Sequence, residues 1–307
     1  MNAGHRPVMC SESIEFLVQE ESRDGIFVDA TFGRGGHSKH LLTFLGGKSK
    51  LIALDKDLEA FTAAKTLAKQ DARLVPCHGS FSDIKRHLAD IGVKQVDGIL
   101  MDLGVSSPQL ENPERGFSFS INGPLDMRMD QSSSPTAAEW LNEAAVGEIS
   151  EVLKTYGEER YANGIARAIV RAKPLENTAD LVAAVAKGIK RSTTGKHFAT
   201  RTFQAVRIKI NNELDDLEKG LVDGFDVLGL RGRLVVISFH SLEDRIVKNF
   251  FKGLTQSTPL PRRLPIRNEN TANLAMSISR RSRASVEECR KNPRARSAVL
   301  RAVERRQ

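Results

Sequence analysis

Asp29-Ala30-Thr31-Phe32-Gly33-Arg34-Gly35-Gly36-His37 is the stretch around which the rest of the chain is organised. The residues before it, Ile26-Phe27-Val28, are a short apolar run that reads as a buried parallel strand. After it, His40-Leu41-Leu42, Phe44 and Leu45 recur at helical spacing. Strand, glycine turn and helix form the layout in which backbone N–H groups at a helix start face a bound cofactor. Gly33, Gly35 and Gly36 permit positive φ and close backbone approach. A second apolar run, Leu51-Ile52-Ala53-Leu54, ends in Asp55, 20 positions past Gly35. A carboxylate there accepts both hydroxyls of a ribose.

That spacing suits NAD and S-adenosyl-L-methionine alike. Three details favour the methyl donor. The glycines depart from the G-x-G-x-x-G order. Asp29 ends the first strand, where a carboxylate can face a cationic group. Asp102 ends a further apolar strand, Gly98-Ile99-Leu100-Met101. Three acids at strand ends suit a sulfonium and an amino-acid cation better than a pyrophosphate. A dinucleotide-dependent oxidoreductase is the competing enzyme class, and failure to bind NAD would exclude it. A nucleic-acid-binding protein without catalysis is the other alternative, and it leaves the three acids unexplained.

Outward from this centre, the pattern is α/β. Ser11 to Val18 reads as a first helix, Leu58 to Leu67 as another, and Arg73 to Pro76 as a third strand. Phe81 follows that strand, where open α/β sheets bind ligands, and a flat ring there can cover an adenine. Ile84 to Ile91 is a helix and Val96 to Asp102 a fourth strand. Strands alternating with helices predict a doubly wound, mostly parallel sheet. After Asp102 the pattern breaks at Leu103-Gly104-Val105-Ser106-Ser107-Pro108-Gln109. Residues 110 to about 135 are rich in Gly, Pro, Ser and Asn and read as a long loop without elements. Helices follow: one opened by a Thr136/Glu139 capping box and carrying Trp140 in its core, then Val146–Tyr156, Arg160–Lys173 and Thr178–Arg191. One long helix is expected over Phe203–Leu221, and a strand over Arg233–Ser238. Ser241-Leu242-Glu243-Asp244 is expected to cap the next helix. Residues 255–295 read as loosely ordered, and Ser297–Val303 as a last strand. The expected division is a donor-binding domain of residues 1–109 and 201–307, with an inserted helical substrate-recognition domain of residues 110–200.

The chain has 307 residues and is 40% hydrophobic and 27% charged, an ordinary globular composition. It has no run of about 18 apolar residues and no apolar signal core at its start, so neither a membrane partner nor export is expected. Its three scattered cysteines fit a reducing cytoplasm. They offer no zinc spacing, and His37 and His40 have no third ligand nearby in sequence, so no metal is expected. The net charge of +8 is concentrated: Leu254–Gln307 holds 13 Lys+Arg and 4 Asp+Glu. A second basic region, Arg160–Arg201, holds 9 Lys+Arg and 2 acids. Both point to a polyanion.

Asp102 to Gln109 lies where a doubly wound methyltransferase presents its substrate. Methyl transfer from a sulfonium is an in-line displacement, and positioning supplies much of its acceleration. An exocyclic base amine is a poor nucleophile because its lone pair is delocalised into the ring. A carboxylate or carbonyl accepting its N–H returns density to nitrogen, and an acid beside a Ser-Pro turn offers such an acceptor.

The glycine turn and Asp102–Gln109 carry a resemblance, together with Arg115-Gly116-Phe117-Ser118-Phe119, Gly123–Asp130, Thr155–Arg160, Thr200–Arg207 and Ser238–Asp244. The chain resembles the bacterial small-subunit ribosomal RNA (cytosine-N4)-methyltransferases of the RsmH/MraW family over nearly its whole length. The resemblance thins between about 255 and 290. It implies a class I methyltransferase fold and a cytoplasmic enzyme. It further implies methylation of N4 of one cytidine in the decoding region of 16S rRNA, a partner met within the small ribosomal subunit. It places donor contacts at Gly35, Gly36, His37, Asp55, Phe81, Asp102 and Gln109, and the glycine turn itself adds Gly33 as a candidate. Asp102 and Ser107 are the candidate catalytic residues. Many DNA amine methyltransferases follow the Pro with an aromatic residue that stacks on the base. Here Gln109 follows Ser107-Pro108, so either Phe117 or Phe119 replaces it or the insertion grips the base differently.

Overall fold

The computed structural model describes residues 7–133, 135–189, 197–256 and 273–307. The chain divides into two compact units, one of residues 1–104 and 215–307, the other of residues 105–214.

The first unit is built on a seven-stranded sheet of order β3-β2-β1-β4-β5-β7-β6. Its strands are β1 (Ile26–Asp29), β2 (Lys50–Asp55), β3 (Leu74–His78), β4 (Val96–Asp102), β5 (Leu228–Ser238), β6 (Ala275–Arg283) and β7 (Val299–Arg305). The first five run parallel, and β7 lies antiparallel to both of its neighbours, β5 and β6. Phe27, Val28, Ile99, Leu100, Val235 and Val236 are fully buried. This is why the central strands are continuous apolar runs: a sheet covered on both faces has no polar side. The flanking helices of the first unit include α1 (Cys10–Leu17), α2 (Gly36–Phe44), α3 (Leu58–Ala68) and α4 (Ile84–Asp90).

The second unit is helical: α5 (Ser107–Glu111), α6 (Ala137–Glu143), α7 (Val146–Gly157), α8 (Ala162–Arg171), α9 (Thr178–Gly188) and α10 (Thr200–Asn211). Leu141, Ile149, Leu153, Ile165, Ile169, Leu181, Val185 and Val206 pack into one buried core that includes Trp140, as expected. The Trp140 indole N–H donates to Glu148 at 2.9 Å. The Thr136/Glu139 capping box is present. Back in the first unit, α11 (Glu213–Asp226), α12 (Ser241–Thr255) and α13 (Val286–Lys291) complete the set of described helices, α11 starting two residues before the division.

Several expectations are corrected. The long helix over Phe203–Leu221 is two helices, α10 and α11, broken at Asn212, whose φ of 51° is left-handed. Asparagine tolerates that conformation better than most residues. The break matters to the division: α10 buries Phe203, Ala205 and Val206 in the helical core, so residues 201–214 group with the second unit and not with the sheet. Residues 105–109 do so too, α5 beginning at Ser107. The stretch 110–135 is not structureless. Buried Arg115 donates to the carbonyls of Arg128 and Met129, both at 3.0 Å. Asn211 accepts the Met129 N–H at 2.6 Å and donates to the Met127 carbonyl at 2.7 Å. Gly116, with φ of 69°, lets the turn close, since a Cβ there would sit 2.3 Å from the Pro124 carbonyl oxygen.

Within 255–295, expected to be loose, Ala275–Arg283 is an edge strand and Val286–Lys291 a helix capped by Ser285. Residues 257–272 of that stretch lie outside the described residues, as does the end of the helix expected up to Arg191. The residue capping α12 is His240, one before the expected Ser241. Its Nδ1 accepts the Glu243 N–H at 3.4 Å, and Glu243 accepts the N–H groups of Phe239 and His240.

Candidate functional site

Strand pairing brings the acids to one rim. Asp29 pairs in register with Ala53 of β2 and Leu100 of β4, so the C-terminal ends of β1, β2 and β4 lie side by side. Asp29, Asp55 and Asp102 each close one of these strands, and open parallel sheets bind ligands at that end.

The glycine turn is tied to this rim by its backbone. The Gly33 N–H donates to Asp55 Oδ2 at 2.7 Å, and the Asp57 N–H to Asp55 Oδ1 at 2.9 Å. The Asp102 N–H donates to Thr31 Oγ1 at 2.6 Å. Gly33 and Gly35 have φ of 54° and 72°, both left-handed. At Gly35 a Cβ would also meet the Phe32 ring at 2.5 Å. That position therefore needs glycine for conformation and for space. Gly36 then opens α2, and a Cβ there would press on Pro7 at 3.1 Å.

Asp29 is buried and its oxygens are engaged: Ser38 Oγ donates to Oδ2 at 2.6 Å, and the Thr31 N–H to Oδ1 at 3.3 Å. Through Ser38 it braces the start of α2. Burial raises its pKa above the usual carboxylate range.

His37 is buried on the first turn of α2. Its Nε2 lies 3.3 Å from Asp102 Oδ2, and its Nδ1 3.4 Å from Ser13 Oγ. Nε2 makes no aligned hydrogen bond, so the contact with Asp102 is ionic. Burial pulls the imidazole pKa down, but the adjacent Asp102 carboxylate, with the Cys10 thiol, drives it upward overall. The charged form of His37 is therefore favoured beside Asp102. Its contribution to stability is complete below the pKa of a free imidazole and is lost as pH rises through the raised value. Asp102 Oδ1 is buried and has no hydrogen-bond partner among the described residues. A buried, unpartnered carboxylate oxygen at the mouth of a sheet is a place for a donor group, and an ammonium or a ribose hydroxyl fits it.

Asp55 has its pKa pushed up to about 6, chiefly by burial, with the neighbouring Asp57 and Asp29 charges adding to it. A ribose diol donates to the ionised form. Donor affinity is therefore expected to be flat above pH 6 and to fall by up to about tenfold per pH unit below it. Calorimetry with S-adenosylhomocysteine between pH 5 and pH 8 measures this. A flat profile would remove Asp55 from the ribose site. In the free protein the sign is the opposite: the raised pKa favours the folded state below about pH 4, and that advantage is lost as pH rises through 6.

Phe81 follows β3 and is partly buried against the core beside β4. Ser107 and Gln109 belong to the second unit, on the short helix α5. Ser107 is buried on the first turn, and Gln109 Oε1 accepts the Ser106 N–H at 2.9 Å in a capping box. Of the two candidate base-stacking rings, Phe117 is excluded, because it is buried in the helical core. Phe119 stacks on the His197 ring with centroids 4.5 Å apart and planes 4° apart. Thr31 and Ser38 were missed as supports. Both lie in or next to the glycine stretch, and a hydroxyl two or nine residues beyond a strand-end acid is the signal that marks them.

The chain matches the profile of the MraW methylase family over residues 2–306. It is 49% identical to a ribosomal RNA small subunit methyltransferase H of Legionella pneumophila (strain Corby), covering 99% of both chains. It is 47% identical to the protein of that name from Ralstonia pickettii (strain 12J), covering 98% of this chain and 97% of the relative. To the one from Burkholderia cenocepacia (strain HI2424) it is 48% identical, with the same coverage. Similarity that spans both units at nearly half identity is not that of one shared module: the chain belongs to the MraW methylase family and has a class I methyltransferase fold.

Proposed function

We propose that this chain transfers a methyl group from S-adenosyl-L-methionine to N4 of one cytidine in the decoding region of 16S rRNA, within the small ribosomal subunit. The donor, when bound, supplies an electrophilic methyl on a cationic sulfur. The observation that carries the proposal is the rim of β1, β2 and β4. Asp55 there is set to accept a ribose diol, and Asp102 presents a buried oxygen without a partner. His37 holds the other Asp102 oxygen and fixes the carboxylate in place. Gly33, Gly35 and Gly36 let the backbone approach the donor closely, and Phe81 covers its adenine. Gln109 as a further donor contact and Ser107 as a further catalytic candidate are what the family resemblance implies. Accepting an N–H hydrogen bond from the cytosine amine, by Asp102 or a backbone carbonyl, raises the amine's nucleophilicity, and the proton released on methylation passes to a carboxylate or to solvent.

The helical unit and the basic C-terminal region are the RNA-binding parts. Arg281, Arg283, Arg290, Lys291 and Arg296 are exposed on β6, α13 and the turn after it. RNA affinity is expected to fall as salt rises, with a log–log slope of about −0.7 per phosphate contacted on a single strand. Filter binding to 16S rRNA between low and physiological salt measures the slope. Salt-independent affinity would contradict the assignment. No helix among the described residues is long and apolar enough to cross a membrane, and the proposed place of action is the cytoplasm. Labelled-donor assays on naked 16S rRNA and on small subunits test the reaction itself: label in N4-methylcytidine supports it, and label elsewhere refutes the N4 assignment.

A further inference from the structure

The helix α11 begins in the second unit and continues along the sheet of the first. Its Leu217, Leu221 and Phe225 are buried in the core beside β4. One turn apart on this helix stand Asp216 and Gly220. Asp216 Oδ2 accepts from Ser80 Oγ at 3.0 Å and from Lys56 Nζ at 3.1 Å. Ser80 immediately precedes Phe81, and Lys56 immediately follows Asp55. One carboxylate thus ties together the chain next to the ribose-binding acid and the chain next to the adenine-covering ring.

Gly220 completes the arrangement. It is buried in mid-helix, where glycine is less favourable than alanine. Its place is explained by the ring beside it. A Cβ on Gly220 would sit 2.4 Å from Phe81 Cδ2 and 2.9 Å from Cε2. Those distances are inside van der Waals contact, so any side chain there displaces the ring. Lys219, between the two, pairs with Asp83, two residues past Phe81. The segment 80–83 is therefore held against α11 at three successive points.

We propose that Asp216 and Gly220 are positioning residues for the donor site. They set the Phe81 ring at the height where it covers adenine, and so determine donor affinity without touching the donor. The proposal rests on the reading of Phe81 as an adenine contact.

Calorimetry with S-adenosylhomocysteine on the full chain tests it, using Phe81→Ala, Gly220→Ala and the double variant. Phe81→Ala is expected to weaken binding about tenfold, the scale of one aromatic–base stack. Gly220→Ala should weaken it by a similar factor. The double variant should bind like Phe81→Ala alone, because no ring remains for the added methyl to displace. In methylation assays Gly220→Ala should raise donor KM with little change in kcat. Asp216→Asn, which weakens both ties, should move KM in the same direction by a smaller factor. Native-like binding by Gly220→Ala, or additive losses in the double variant, would overturn the proposal while leaving Phe81 in the site. Native-like binding by Phe81→Ala would instead remove Phe81 from the site and the proposal with it. If Gly220→Ala fails to fold alone, folding of the double variant with the affinity of Phe81→Ala supports the proposal, and its failure to fold overturns it.

Discussion

Asp102→Asn is expected to weaken S-adenosylhomocysteine binding by about 10- to 100-fold, while saturating donor restores the single-turnover rate to near that of the native chain. Two roles are open to a carboxylate at this strand end, anchoring the donor or taking a proton from the target amine. The surroundings of Asp102 favour the first. Its Oδ2 faces the charged His37 imidazole at 3.3 Å, and its backbone N–H is fixed on Thr31. Only Oδ1 is left without a partner, and it is buried. A rigid, ion-paired carboxylate with one committed oxygen is built to hold a group in place. The substitution also strips a buried imidazolium of its counter-charge, so the thermal midpoint should fall and the His37 titration should move down. A variant with native donor affinity and a much lower rate at saturation would reverse the assignment and make Asp102 a participant in the transition state.

The second large effect is at Asp55. Asp55→Ala is expected to cost about 1–3 kcal/mol of donor binding, the range for hydrogen bonds to a charged group. The loss has two sources. In the proposed site the carboxylate would accept the ribose hydroxyls, and it already accepts the Gly33 and Asp57 N–H groups. Removing it frees the glycine turn that the donor must meet. Because Asp55 is an ionised acid in a buried place, its removal should not lower stability in proportion to the affinity lost. An unchanged dissociation constant in a folded variant would sink the ribose assignment.

The glycine turn and the rim of strand-end acids are legible in the sequence because their signals are local. A strand, three glycines and two strand-end acids fall within 27 residues, Asp29 to Asp55, and each constrains the backbone directly. The alternation of apolar runs with helical spacing was enough to draw the first four strands. What was not legible depends on contacts far apart in the chain. The α10–α11 break is a single left-handed asparagine inside a continuous amphipathic pattern, which periodicity alone passes over. The strand Ala275-Met276-Ser277-Ile278-Ser279-Arg280-Arg281-Ser282-Arg283 carries serine and arginine because it is an edge, where charge discourages further pairing. Composition marks such a strand as loop. The ties from Asp216 and Gly220 to Ser80 and Phe81 span about 140 residues and have no signature in either segment. Phe117 and Phe119 looked equivalent in sequence. Only packing separates them, Phe117 falling into the helical core and Phe119 stacking at its margin.

The central claim, N4 methylation of one cytidine in the decoding region of 16S rRNA, is tested most directly by mass mapping of 16S rRNA from cells with and without this protein. The expected result is a single decoding-region fragment that is lighter by one methyl group in the cells lacking it. The missing methyl should lie on the base of one cytidine and return when the native chain, but not Asp102→Asn at limiting donor, is supplied. An unchanged decoding region, or a methyl lost from a different base or from a ribose, would contradict the claim.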